Sequence, residues 1–253
     1  MTQNGWLKII GIGPGDEALI TPQVTHAIAE ATDAIGYIPY IERVAQNANL
    51  TLHPSDNRVE IERAQHALEL AASGRRVIVV SSGDPSVFAM SAAVYEAVEN
   101  GDPNWRDLQI EALPGITAML AASAAAGAPL GHDFCAINLS DNLKPWSIIE
   151  RRLRHAARGD FAMAFYNPRS KSRPEGFAKT LEILNQECAD RRPILFCRNV
   201  SRPDQTITCL PLNEATPDMA DMRTLVIVGT SHTRIISRQG VPIIYTPRYY
   251  NED

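Results

Sequence analysis

Residues 7–22 read LKIIGIGPGDEALITP, and their order sets the fold. Leu7-Lys8-Ile9-Ile10 is a short apolar run that reads as a buried strand. It breaks at Gly11, and Gly11–Asp16 follows as a loop. Thr21 then stands as a helix N-cap, with Pro22 at the first helical position, where its missing N–H costs nothing. Val24, Ala27, Ile28 and Ala31 fall on one helical face. The pattern repeats outward. Ala34-Ile35-Gly36 reads as a strand. A helix follows over about Ile61–Ala72, with Ile61, Ala64, Leu68 and Ala71 on one side and Gly74 closing it as the C′ residue. Val77–Val80 is the clearest buried strand, ending in Ser81-Ser82-Gly83-Asp84-Pro85. A helix from about Ser86 to Glu99 and a strand from Leu108 to Leu113 complete the half, which stops at Pro114-Gly115. Strictly alternating strand and helix predicts a mostly parallel sheet covered on both faces.

The second half has another texture. Phe134–Leu139, Phe161–Tyr166, Ile194–Arg198, Thr206–Leu210 and Leu225–Gly229 read as strands, with helices near Ser147–Ala157 and Glu175–Glu187. Only Pro-bearing loops separate the last two strands, which predicts a mixed sheet. The fold class is therefore α/β with two domains, the boundary falling in Pro114–Thr117. The working division is 1–116, 117–245 and a frayed tail at 246–253. No repeat of solenoid period is visible.

Composition narrows the function classes. The chain has 253 residues, 45% hydrophobic and 21% charged, with a net charge of −5. Ordinary globular usage excludes a disordered chain or a collagen-like repeat. A mildly acidic protein is a poor sequence-independent nucleic-acid binder, which needs clustered cations. The four cysteines, Cys135, Cys188, Cys197 and Cys209, form no C-x-x-C pair, so no metal site is expected, and a reducing compartment fits. The uncharged stretch 112–131 is mostly alanine, broken by Pro114, Gly115, Gly127 and Pro129. It reads as a packed helix with a loop at each end, because a membrane span wants about 20 strongly apolar residues. The N-terminus has no signal-peptide pattern. These observations lead to the expectation of a cytoplasmic protein.

The glycine loop has lookalikes. A dinucleotide fingerprint needs G-x-G-x-x-G. Gly11 and Gly13 match, but Asp16 occupies the third position, where a carboxylate repels a pyrophosphate, and Pro14 removes a backbone donor. Asp33 lies near where a ribose-binding acid would sit. A Walker loop fails for want of G-K-[ST]. A tight turn that binds nothing is the plain alternative. The other strand ends add weight, because ligands in open α/β sheets bind beyond the carboxyl ends of strands. Gly11–Asp16, Gly83–Pro85 and Pro114–Ala118 should share one edge.

Three motifs in order carry a resemblance: Gly11-x-Gly-Pro-Gly-Asp with Leu19 and Thr21, then Gly83-Asp84-Pro85, then Pro114-Gly115-Ile116-Thr117-Ala118. The chain resembles the tetrapyrrole (class III) methyltransferases over nearly its whole length. Gly36-Tyr37 with Pro39-Tyr40, Ser55–Arg58, Gly127–Ile137, Leu139–Trp146 and Tyr166-Asn167-Pro168 are similar to the branch that acts on precorrins in cobalamin synthesis, in its metal-free, oxygen-dependent form. Ser82 departs from the Gly of many relatives, and its small hydroxyl should be tolerated. The resemblance implies S-adenosylmethionine as methyl donor, an active cleft between two α/β domains, a precorrin acceptor, a homodimer, and no nucleic-acid, membrane or metal partner. It places Pro14, Ser82, Gly83, Asp84, Val87, Thr117, Ala118, Asn167 and Val200 at the donor. Read without it, Val87 and Ala118 are plain core, and Asp84 caps the following helix.

The implied chemistry suits what the sequence lacks. Methyl transfer from a sulfonium is an in-line displacement needing no nucleophilic side chain, and alignment alone can supply roughly 7–11 kcal/mol. A polycarboxylate acceptor wants Arg and Lys partners. Lys144–Arg173 holds eight basic residues and two acids. Arg151, Arg154, His155 and Arg158 follow helical spacing and read as a solvated face. Lys144 and the loop residues Arg169, Lys171 and Arg173 are the substrate candidates. Ring contraction, which this branch implies, requires proton movement, and a positioned acid or base contributes typically 10²–10⁴-fold. His132 and Asp141 are the catalytic candidates. Each has a plain alternative, a backbone-bonded loop His and an Asx turn before Asn142. Another methylase of the same fold, or a non-catalytic tetrapyrrole binder, are the rival functions.

Overall fold

The computed structural model describes residues 5–44, 49–56, 59–188 and 191–249. Asn57 and Arg58 of the Ser55–Arg58 motif, and residues 250–253 of the expected tail, lie outside them. The chain divides into two compact units, Met1–Thr117 and Ala118–Asp253.

The first unit contains β1 (Trp6–Gly11), α1 (Pro22–Glu30), β2 (Asp33–Tyr37), the single turn α2 (Ile38–Ile41), β3 (Thr51–Ser55), α3 (Glu60–Ala72), β4 (Arg76–Ser81), α4 (Met90–Asn100) and β5 (Gln109–Leu113). The strands form one parallel sheet in the order β3-β2-β4-β1-β5. Side chains alternate across it, as strand geometry requires. Ile10, Ile12, Ala34, Ile78 and Val80 pack with Val24 and Ala27 of α1. Leu7, Ile9, Ile35, Val77 and Val79 pack on the opposite face with Ala64, Leu68 and Val94. Both faces are covered, which is why these strands read as continuous apolar runs. Thr21 caps α1 as expected, its Oγ1 accepting from Val24 N at 3.3 Å. Gly74, at φ +90°, closes α3.

Three details differ from the sequence reading. Ile61 is 39% exposed and faces solvent, while Ala67 joins the buried stripe. The helix expected from Ser86 starts at Met90, because residues 85–89 form turns with Phe88 at φ +53°. Strand β3 gave no apolar signal. It is an edge strand whose Thr51, Leu52 and Pro54 are exposed, and such an edge tolerates proline.

Asp33 is 1% exposed at the amino edge of this sheet. Its Oδ2 accepts from Arg75 Nε at 2.8 Å and Thr32 Oγ1 at 2.6 Å, and its Oδ1 meets Arg75 Nη2 at 3.1 Å and His53 Nε2 at 3.0 Å. Burial pushes this carboxyl up, but the hydrogen bonds from Arg75, Thr32 and His53 outweigh it and bring it from 3.8 to about 2. The ribose-acid lookalike is thus tied up within the fold.

The second unit contains α5 (Ala118–Ala126), β6 (Gly127–Ala128), β7 (Phe134–Asn138), α6 (Trp146–Arg158), β8 (Ala162–Tyr166), α7 (Gly176–Glu187), β9 (Pro193–Arg198), β10 (Thr206–Pro211), β11 (Thr224–Val228), β12 (Arg234–Ile236) and β13 (Ile243–Tyr245). Its main sheet runs β10-β9-β11-β8-β7, with only β7 and β8 parallel. One face packs Met163, Phe165, Phe196 and Val226 against Ile149, Leu153, Phe177 and Leu184 of α6 and α7. The other packs Leu195, Cys197, Leu225 and Ile227 against Ala122 and Ala126 of α5. A small sheet, β12-β13-β6, has no counterpart in the sequence reading. Thr246, assigned above to the tail, directly follows β13; it is buried and donates to Pro129 O at 2.7 Å. Among the described residues no helix is long and apolar enough to cross a membrane.

The Asp33 carboxylate is held below its unfolded value, so its contribution is complete above about pH 4 and is lost as pH falls through about 2. Asp33→Asn should cost about 2 kcal/mol at pH 7 and flatten the acid limb of stability between these values. Urea melts at pH 7 and pH 3 test this, and equal losses at both would refute it.

Candidate functional site

In the first sheet β4, β1 and β5 are neighbours and parallel, so their carboxyl ends lie side by side. There the backbones of three loops pack directly on one another. Gly13 N donates to Gly83 O at 3.2 Å and Gly83 N returns a bond to Gly13 O at 3.0 Å. A Cβ on Gly11 would stand 2.5 Å from Gly83 O and 2.9 Å from Gly115 N. One on Gly115 would stand 2.2 Å from Gly83 O and 2.5 Å from Gly11 O. No side chain fits there, and Gly13 and Gly83 also take positive φ, +68° and +63°. The glycines are required by this packing whatever the loops bind.

The polar side chains at this edge are engaged with backbone. Asp84 does not cap α4, whose N-cap Ala89 has no side-chain bond. Its Oδ1 accepts from Ser86 N at 2.8 Å and its Oδ2 from Gly115 N at 3.1 Å, linking the β4 and β5 loops. Asp16 caps the short 3₁₀ turn Glu17–Leu19 through Ala18 N at 2.9 Å. Pro14, Ser82, Gly83 and Val87 are half-buried around this edge and Thr117 is buried. Val87 is therefore not plain core.

In the second unit, β7 and β8 are adjacent and parallel, and their carboxyl ends carry the basic loops. Asn138 Oδ1 accepts from Asn167 Nδ2 at 3.1 Å and Ser140 N at 2.9 Å, joining the two loops. Asn167 adopts φ +52°. Lys144 Nζ donates to Ser140 O at 3.0 Å, and Arg173 Nη1 to Asn167 O at 3.4 Å. Burial lowers the Lys144 ammonium pKa, and the charges of Arg152 and Arg173 lower it further while Asp141 opposes them. Three cations thus gather here. Arg152 is one of the eight basic residues counted in the sequence but not one of the substrate candidates there, since it sits one position off Arg151 on α6. Arg169 has a buried Nε with no hydrogen-bond partner, and Lys171 is exposed.

Of the remaining candidates in this unit, Asp141 stands close enough to Lys144 to oppose the lowering of its pKa. Asp141 is exposed, and His132 lies half-buried with Nδ1 3.8 Å from Asp133 Oδ2. Val200 is buried in the α5-side core, and Ala118 packs against it. Arg154 and Arg158 are not a merely solvated face: both bond to Glu187 of α7, at 2.7 Å each. Those bonds bring the Glu187 carboxyl to about 2. Burial also acts on cysteines of this unit. Burial pushes Cys135 up to about 11, and burial with the neighbouring Cys209 pushes Cys197 up to about 12. Among the described residues no group of three or more His, Cys, Asp or Glu is placed to hold a metal ion.

One contributor at the first edge had no signal in the sequence. Arg43 Nη2 donates to Ile12 O at 2.8 Å and Gly15 O at 3.2 Å, and Nη1 to Gly13 O at 3.3 Å.

Comparison with known proteins identifies the family and the fold. The family model for Tetrapyrrole (Corrin/Porphyrin) Methylases matches residues 7–216. A precorrin-3B C(17)-methyltransferase from Sinorhizobium sp is 49% identical, over 97% of this chain and 97% of its own. A crystal structure of the methyltransferase CobJ superposes with a TM-score of 0.92 at 65% identity, covering 96% of this chain and 100% of that one. Uroporphyrin-III C-methyltransferase from Thermus thermophilus, complexed with S-adenyl homocysteine, shares the fold at a TM-score of 0.70 and 23% identity, over 89% and 97%.

The backbone contact makes a sharp demand. Gly115→Ala should destabilise the protein by about 1–3 kcal/mol through overpacking. Gly176→Ala, whose Cβ would meet only the Trp146 ring at 3.6 Å, should be near neutral. Urea denaturation compares them, and equal midpoints would contradict the packing argument.

Proposed function

Since the chain belongs to the tetrapyrrole (corrin/porphyrin) methylase family, we propose that it transfers a methyl group from S-adenosylmethionine to C17 of precorrin-3B in cobalamin biosynthesis, with ring contraction to precorrin-4. The observation that carries this reading is 49% identity to a precorrin-3B C(17)-methyltransferase along essentially the full length of both chains.

The edge at Gly11, Gly83 and Gly115 fits the donor. It is built of backbone, and its acids are held in place by neighbouring amides, Asp16 by Ala18 N and Asp84 by Ser86 N and Gly115 N. Bound there, S-adenosylmethionine supplies an activated methyl on a sulfonium. What the protein adds is alignment. Pro14, Ser82, Gly83, Asp84, Val87 and Thr117 are the proposed donor contacts of the first unit, and Ala118, Asn167 and Val200 those of the second. The cations at the ends of β7 and β8 suit acceptor carboxylates, since like charges gathered in a fold gain from an anionic partner. Lys144, Arg169, Lys171 and Arg173 take that role. His132 and Asp141 are the proposed proton carriers for the contraction. The same reading makes the protein a cytoplasmic homodimer with a small-molecule acceptor and no nucleic-acid or membrane partner.

Mass spectrometry after incubation with S-adenosylmethionine and precorrin-3B should show one added methyl and release of S-adenosylhomocysteine. Turnover only of the cobalt-bearing macrocycle would correct the substrate, and unchanged masses with both would reject the activity. Asp84→Ala should weaken donor binding in calorimetry, and an unaltered affinity would remove Asp84 from the donor site. Lys144→Met with Arg173→Met should raise KM for the acceptor about 10-fold or more, as expected for losing charge-assisted contacts, and leave donor affinity unchanged. A loss of donor affinity instead would move these residues to the other substrate.

A further inference from the structure

Gly36-Tyr37 with Pro39-Tyr40 carries part of the family resemblance, yet no function so far rests on it. β2 ends at Tyr37 and α2 begins at once, with Pro39 in its first turn. A Cβ on Gly36 would stand 3.0 Å from Val80 O and 3.3 Å from the Ile41 side chain. Its absence lets Ile41 fold back onto the strand, where it is buried. The Tyr37 and Tyr40 rings meet edge to face at 5.3 Å. The chain then continues through Arg43 N→Tyr40 O at 3.2 Å and Val44 N→Ile41 O at 3.0 Å. This compact turn brings the Arg43 guanidinium to the glycine loop, where it donates to the carbonyls of Ile12, Gly13 and Gly15.

Loop carbonyls off the sheet ladder still need partners. Gly13 O also accepts from Gly83 N, whereas Ile12 O and Gly15 O accept from Arg43 Nη2. A planar guanidinium can serve several acceptors in fixed directions, and an ammonium cannot reproduce that fork. We propose that Arg43 is a positioning residue that sets the glycine loop in its binding shape before S-adenosylmethionine arrives, and that the Gly36–Ile41 turn serves to deliver it there. A loop held in advance loses less freedom when the ligand binds. This inference rests on the donor reading above, and concerns a residue that need not touch the donor.

The test compares wild type, Arg43→Met, Arg43→Lys and, as a control on the exposed 3₁₀ turn Pro103–Asp107, Arg106→Met. Amide hydrogen exchange over residues 12–16, calorimetry with S-adenosylhomocysteine, and steady-state kinetics are measured on each folded protein. In Arg43→Met the loop amides should exchange faster, S-adenosylhomocysteine should bind about tenfold more weakly, and KM for the donor should rise while kcat at saturating donor holds within about twofold. Arg43→Lys keeps the charge for folding and should shift the same readouts in the same direction by less. Arg106→Met should match wild type. A merely structural role would lower the melting temperature and depress kcat without a change confined to the loop, which would overturn the proposal. Unchanged loop exchange and affinity in Arg43→Met, with normal binding by wild type, would also overturn it alone. Absence of S-adenosylhomocysteine binding by wild type would overturn the donor reading, and this inference with it.

Discussion

At the carboxyl edge of the first sheet, three peptide backbones touch where no Cβ fits. Gly115 and Gly11 each have their hydrogen pointing at a carbonyl of another loop, at distances that a methyl group could not occupy. Everything else at that edge follows. The reciprocal bond between Gly13 and Gly83 can form because the chains approach so closely. Asp84 can reach Gly115 N across the gap. The cost of such an approach is the entropy of ordering glycines, roughly 0.5–1 kcal/mol each relative to alanine, offset by hydrogen bonds that satisfy loop backbone.

The two ends of that sheet divide the work. At the amino edge, Asp33 is buried with Arg75, His53 and Thr32, a closed arrangement in which the carboxylate's oxygens have partners. Such a group stabilises because its charge is met by directed donors. At the carboxyl edge most of the groups are half-buried, and Asp84 bonds to the backbone of a neighbouring loop rather than into a core. A parallel sheet produces this division naturally, since every strand ends on the same side and every loop there can be varied without disturbing the strands.

The second unit repeats the principle with other chemistry. Its sheet is mixed, and the adjacent parallel pair β7 and β8 brings two loops together at one edge. Where the first edge carries the carboxylates of Asp16 and Asp84, this one gathers Lys144, Arg152 and Arg173, and burial first, then the neighbouring guanidinium charges, lower the lysine's pKa. Elsewhere on the same unit, cations are neutralised within the fold, as Arg154 and Arg158 are by Glu187. The contrast separates cations paired with a carboxylate between helices from cations that donate to loop carbonyls, as Lys144 and Arg173 do.

The sequence by itself determined the strands, because a strand buried on both faces must be apolar throughout, and Leu7–Ile10 and Val77–Val80 are. It determined where loops must be glycine and, through the order of its motifs, the family. It placed Thr21 as a cap, since that contact is local. Only the tertiary structure decided what depended on distant partners. Phe134–Asn138 and Ala162–Tyr166 gave no hint of which neighbour each would pair with, and Thr51–Ser55 became a strand only because β2 offered an open edge. The run SVFAMSAAV reads as helix from its first residue, yet α4 waits until Met90 because the preceding turns hold the loop against Gly13 and Gly115. Arg43 shows the limit most clearly. Its three acceptors lie 28 to 31 residues earlier in the chain, and hydrogen bonding across such a span leaves no periodicity for a linear reading to find.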